Sequence, residues 1–184
     1  MFEPELYEEI VGRQTAARGK IIRYENMTVR LPNGSESARD IVRHPGGCVI
    51  VPIDGDGFLY LVRQYRVAFE TVTLEFPAGK LEGGEAPETC AERELLEETG
   101  FRAGALRRVL STYSSPGFCD EIIHVFLAER LAAGAAAPDE DEFVKLEKRT
   151  LGELLDMMWA GEIRDAKTVI GILLADRERG LGGR

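Results

Sequence analysis

Histidine, cysteine and tryptophan are scarce in this 184-residue chain, at two, three and one. His44 and His124 lie far apart, and Ser111, Ser114 and Ser115 lack the G-x-S-x-G setting of a nucleophile elbow, which argues against serine–histidine catalysis. Cys48, Cys90 and Cys119 are odd in number, widely spaced and without metal-type pairing, so free thiols in a reducing cytoplasm are expected. No run reaches the roughly 18 apolar residues of a membrane-spanning helix. The opening MFEPELYEEI has neither the basic nor the apolar region of a secretory signal. Positive charge is also in deficit: 23 Lys and Arg stand against 32 Asp and Glu, a net −9. Non-specific nucleic-acid binding needs a basic surface, so neither nucleic acid nor membrane is an expected partner.

What is present suits a folded enzyme-sized domain. Hydrophobic residues make up 44% of the chain and charged ones 30%, enough for a core and a solvated surface. Residues 1–20 carry no readable pattern. Lys20–Arg30 and Ala38–Arg43 read as strands joined by a turn at Asn33-Gly34; Gly47–Ile53 and Phe58–Tyr65 read as a second hairpin around Asp54–Gly57. Strands are also predicted at Thr71–Phe76, Ala105–Ser111, Ile122–Glu129 and Phe143–Glu147, with Leu131–Pro138 a surface loop. Thr150 with Glu153 forms a capping-box signal for a helix to about Trp159, whose indole is expected in the core. Asp165 is expected to cap a last helix. Strands surrounding one helix, with further helices at the end, predict an α+β or α/β sandwich.

The densest chemistry lies in GKLEGGEAPETCAERELLEETGF, residues 79–101. Pro87 suits a first helical turn and Gly100 a left-handed stop, so 87–99 is expected to be helical. Glu94, Glu97 and Glu98 then fall at i, i+3 and i+4 on one face. Like charges so close repel, and clustered carboxylate oxygens suit a hard cation such as Mg²⁺, with Mn²⁺ an acceptable substitute. The glycines at 79–84 are not a P-loop, because no GK[ST] follows.

This segment resembles the Nudix hydrolase signature GX5EX7REUXEEXGU, in which U is a bulky apolar residue. Gly79, Glu85, Arg93, Glu94, Leu95, Glu97, Glu98, Gly100 and Phe101 occupy its specified positions. Arg63-Gln64-Tyr65-Arg66, Leu74 to Gly79 (LEFPAG) and Ser115-Pro116-Gly117-Phe118 are further similar to segments of the ADP-ribose pyrophosphatase subgroup. The resemblance implies an α+β Nudix fold, an α/β/α sandwich with a mixed sheet between helices, with an N-terminal β-arm at 1–42 that serves a homodimer and a catalytic domain at 43–184. It implies Mg²⁺ held by Glu94, Glu97, Glu98 and a main-chain carbonyl at Ala78 or Gly79, with Glu97 also in the catalytic set. Glu85 and Arg93 would form a scaffold ion pair.

In that subgroup an acidic loop supplies the general base and another ligand. Here that loop is Asp139-Glu140-Asp141-Glu142, giving Glu140 as base and Glu142 as ligand, with Asp139 or Asp141 the base if the register slips by one. Arg66 and Arg39 would contact phosphate, and Glu121 and Phe118 the rest of the substrate; Tyr7 and Tyr24 are alternative stacking residues. The implied activity is hydrolysis of ADP-ribose to AMP and ribose 5-phosphate, or of another nucleoside diphosphate sugar such as GDP-mannose.

Overall fold

Strand pairing around two short turns builds the first of two compact units, Met1–Gly46 with Tyr113–Ile122. The computed structural model describes residues 3–134 and 143–182. Strands β1 (Glu9–Arg18), β2 (Arg23–Arg30) and β3 (Glu36–Arg43) form an antiparallel sheet in that order. The Asn-Gly turn forms as expected: Gly34 has φ of 85°, and Asn33 Oδ1 accepts from the Ser35 N–H at 3.0 Å. β1 is the strand that the sequence hid. Its register with β2 shifts twice, between Ile10 and Gly12 and between Thr15 and Ala17, and almost all its residues are exposed. Bulges break the two-residue alternation on which strand reading depends.

The second unit spans Gly47–Thr112 and Ile123–Arg184. Its elements are β4 (Gly47–Pro52), β5 (Phe58–Arg66), β6 (Thr71–Glu75), β7 (Ala78–Lys80), α1 (Pro87–Thr99), β8 (Phe101–Tyr113), β9 (Ile122–Ala133), β10 (Lys145–Thr150), α2 (Leu151–Trp159) and α3 (Ala166–Gly182). One sheet has the order β7-β4-β9-β8 and the other β10-β5-β6. β4 runs parallel to β9 and antiparallel to β7, so the larger sheet is mixed.

Every residue of β4 is buried, and its alternation divides the core in two. Val49 and Val51 join a cluster with Leu154 of α2 and Ile172 of α3. Cys48 and Ile50 join the other, with Cys90, Ala91 and Leu95 of α1. Val125 and Leu127 against Phe126 and Ala128 repeat the division along β9. A strand covered on both faces reads as a continuous apolar run, which is why GCVIVP shows no polar positions. The α+β architecture with a sheet between helices is thus present. Gly171 allows the close approach of α3: a Cβ there would sit 2.7 Å from the Phe76 ring.

Local signals in the sequence decide most helix ends. Pro87 opens α1, and Gly100, at φ 73°, closes it by donating to Leu96 O at 2.8 Å. Both halves of the Thr150–Glu153 capping box are made. Asp165 Oδ2 accepts from the Thr168 N–H at 2.9 Å. Four expectations are corrected. The chain turns tightly at Asp54–Gly57, but β4 and β5 do not form the expected second hairpin: beyond one bridge between Ile53 and Leu59 they part into different sheets, because β4 pairs with β7 and β9, and β5 with β6 and β10. Trp159 is 78% exposed instead of buried, because the last turn of α2 projects its indole away from the face that buries Leu154. β9 continues to Ala133, so the loop expected from Leu131 begins later, and 135–138 lie outside the described residues. The tenth strand starts at Lys145 and not at Phe143, which is 87% exposed.

Candidate active site

Helical periodicity places Glu94, Glu97 and Glu98 on one face of α1, and packing against β7 buries two of them: Glu94 is 5% exposed and Glu98 6%. Buried carboxylates are costly without hydrogen bonds or a counter-charge. Arg93 supplies the charge. Its Nε and Nη2 donate to the two oxygens of Glu85 at 3.0 and 3.1 Å, and its Nη1 donates to Glu94 Oε1 at 2.7 Å and to Glu97 Oε2 at 2.9 Å. Nη2 also reaches Lys80 O at 3.3 Å. The Glu85–Arg93 pair expected from the sequence is therefore part of a larger fork that ties loop 81–86 to two further carboxylates. Arg93 holds the Glu85 carboxyl below its ordinary value, against the opposing pull of burial.

Glu98 is held differently, its Oε2 accepting from the Ala78 N–H at 3.2 Å. Gly79 brings the main chain against Glu94: a Cβ at position 79 would lie 1.7 Å from Glu94 Oε1. Four carboxylates (Glu85, Glu94, Glu97, Glu98) and one guanidinium leave an excess of negative charge with only oxygen donors facing it. In kind, these donors fit a hard divalent cation. As they stand Glu94 and Glu97 are turned to Arg93, and no group of three acidic, histidine or cysteine side chains among the described residues is gathered round one ion-sized point. Cys90 underlies the loop, donating to Lys80 O at 3.5 Å. All three cysteines are free, as expected.

A second polar cluster lies at the end of β6. Glu75 is 1% exposed and bound by Arg66 in fork geometry, Nε to Oε1 at 2.8 Å and Nη2 to Oε2 at 2.7 Å. Lys167 of α3 also donates to Oε2, and Thr73 to Oε1 at 2.6 Å. Burial raises the Glu75 carboxyl, but Arg66, Lys167 and Thr73 together outweigh it and bring it down to about 2. A depressed carboxyl stabilises the fold above its unfolded value near 4.5, and that contribution is lost as pH falls toward 2. Glu75→Gln should therefore remove on the order of 3 kcal/mol of pH-dependent stability across that window. Urea unfolding of both proteins from pH 7 to pH 2.5 measures it; parallel acid limbs would show that Glu75 is not held low.

The other sequence-derived site residues fall as follows. In the first unit, Arg39 grips Glu8, with Nε to Oε2 at 3.0 Å and Nη2 to Oε1 at 2.5 Å. Phe118 is 55% exposed, and the Glu121 carboxylate lies 3.3 Å from His44 Nδ1. Tyr24 donates to Asp40 at 2.8 Å. Glu140 and Glu142, with Asp139 and Asp141, lie outside the described residues. Residue-by-residue reading missed the cavity of about 470 Å³ in the first unit, lined by Arg18, Lys20, Arg23, Arg43, His44 and Asp120 among others. Its basic side chains come from the turn between β1 and β2 and from the end of β3, which only pairing of the strands brings together. Glu75 and Lys167 were missed for the same reason: 92 positions separate them.

A mixed sheet between helices, with a glycine-bounded loop and an acidic helix centred on one arginine, is the Nudix hydrolase arrangement. The NUDIX domain family matches residues 42–169, and the chain belongs to it. Over 169 residues it is 43% identical to the ADP-ribose pyrophosphatase of Bacillus subtilis (strain 168), covering 91% of each chain. It is 42% identical over 167 residues to the methanol dehydrogenase activator of Bacillus methanolicus, covering 90% of each. A solved structure described as an ADP compounds hydrolase superposes with a TM-score of 0.84 at 26% identity, covering 97% of both chains.

Proposed function

We propose that this Nudix pyrophosphohydrolase cleaves ADP-ribose to AMP and ribose 5-phosphate with Mg²⁺. The observation that carries this reading is the Arg93-centred carboxylate fork behind Gly79, in a chain similar over nine-tenths of its length to an enzyme named for that substrate. Glu94, Glu97, Glu98 and Glu142, with a carbonyl at Ala78, would hold the metal, which when bound neutralises phosphoryl charge and acidifies water. Glu140 accepts the proton of the water that adds to one phosphorus, and the bond from that phosphorus to the bridging oxygen breaks. Arg66 and Arg39 orient phosphate oxygens, each already held in fork geometry by a carboxylate, and Glu121 and Phe118 contact the remainder of the substrate.

The reading extends to the assembly and the compartment. Residues 1–42 act as an arm in a homodimer and residues 43–184 as the catalytic domain; the exposed apolar side chains of Leu6, Tyr7, Ile10 and Val11 support the arm. The free thiols support a reducing cytoplasm. The decisive experiment is a steady-state screen of the purified protein with Mg²⁺ against ADP-ribose, GDP-mannose and other nucleoside diphosphate sugars. ADP-ribose should give the highest kcat/KM; equal rates across the panel, or a preference for GDP-mannose, would defeat the assignment.

A further inference from the structure

We propose that Lys167, at the start of α3, is a positioning residue for Arg66, acting through the Glu75 carboxylate that the two cations share. This rests on the reading of Arg66 as a phosphate contact. The geometry is a relay whose far end is fixed. Asp165 Oδ2 caps α3 through the Thr168 N–H at 2.9 Å and accepts from Thr168 Oγ1 at 2.6 Å, while Thr168 Oγ1 accepts from the Phe76 N–H at 3.0 Å. The first turn of α3 is thereby pinned to the residue that follows Glu75. Asp165 Oδ1 accepts from Lys167 Nζ at 2.8 Å and so directs the ammonium toward Glu75.

The consequence for Arg66 is electrostatic as well as geometric. A carboxylate held by one arginine alone would spend its whole charge on that arginine and weaken it as an anion ligand. With Lys167 on Oε2, the charge of Glu75 is divided between two cations, so Arg66 keeps its fork geometry and more of its attraction for an incoming phosphate. Exposure is graded along the relay: the Glu75 side chain is 2% exposed, that of Lys167 16% and that of Arg66 40%. Only the arginine end faces solvent, and therefore ligand.

The test is a double-mutant cycle on the full-length protein, with kcat, KM and Tm measured for each variant using ADP-ribose and Mg²⁺. Lys167→Met should raise KM about tenfold with a smaller change in kcat, the size expected when a binding group is misplaced. Lys167→Arg should recover most of the loss. Lys167→Gln keeps a donor for Oε2 without the charge, and it should behave like Lys167→Met if charge sharing matters; it also serves if the methionine variant does not fold. In an Arg66→Ala background, Lys167→Met should add nothing. An undiminished tenfold effect in that background would overturn the proposal while leaving the Arg66 reading intact. Unchanged KM in Lys167→Met and Lys167→Gln would overturn it too. Arg66→Ala with wild-type kcat/KM would remove the reading itself, and the proposal with it.

Discussion

Glu98→Gln is expected to lower kcat for pyrophosphate cleavage by roughly 10²–10³-fold, the loss typical of removing one charge-stabilising group from an active site. Glutamine has the shape of glutamate and retains a carbonyl oxygen to accept the Ala78 N–H, which now donates to Glu98 Oε2 at 3.2 Å. What disappears is one negative charge on a side chain 6% exposed, one helical turn from the equally buried Glu94. Removing that charge relieves repulsion, so Tm should stay level or rise while turnover falls. Opposite movements of stability and activity mark a residue kept for function. Thermal unfolding with steady-state kinetics measures both, and near-wild-type turnover would remove Glu98 from the site.

Gly79→Ala should reduce kcat by about 100-fold, the scale of an ångström-sized misplacement in an active site. The added methyl would lie 1.7 Å from Glu94 Oε1 and 2.0 Å from its carboxyl carbon, so both cannot remain where they are. The obstructing atoms are the end of a rotatable side chain, and swinging Glu94 aside relieves the clash at small cost to the fold. That movement breaks the 2.7 Å bond to Arg93 and unseats the carboxylate that chemistry needs. Activity should fall with Tm lowered only slightly. A large drop in Tm would show that the main chain gives way instead, and wild-type activity would show that the placement of Glu94 is immaterial.

Some of this was legible along the chain and some was not, for identifiable reasons. The limits of α1 follow from Pro87 and Gly100, and the facing of Glu94 and Glu98 from the helical repeat. The alliance of Arg93 with Glu85 could be anticipated because both lie in one short motif. That Arg93 also takes Glu94 and Glu97 could not, since spacing alone does not say which of several neighbouring carboxylates one guanidinium reaches. Trp159 misled because an apolar position near a helix end reads as core whether or not a neighbour covers it. Arg66 was visible as a motif residue, yet its carboxylate partner and the lysine behind that carboxylate were not.

The sequence by itself determined the class of chemistry, because the loop-helix motif is local: spacing, helix limits and charge excess are set by neighbours within 23 residues, 79–101. It also determined the helix caps and the tight turns at Asn33-Gly34 and Asp54–Gly57, which depend on side chains reaching their own backbone, but not that the strands flanking the second turn join different sheets. Only the tertiary structure decided which carboxylates are buried, where each arginine spends its charge, and that α3 reaches back to Glu75. Burial and ion pairing are properties of surfaces brought together, and residues 75 and 167 meet only because two sheets and a helix close over one core.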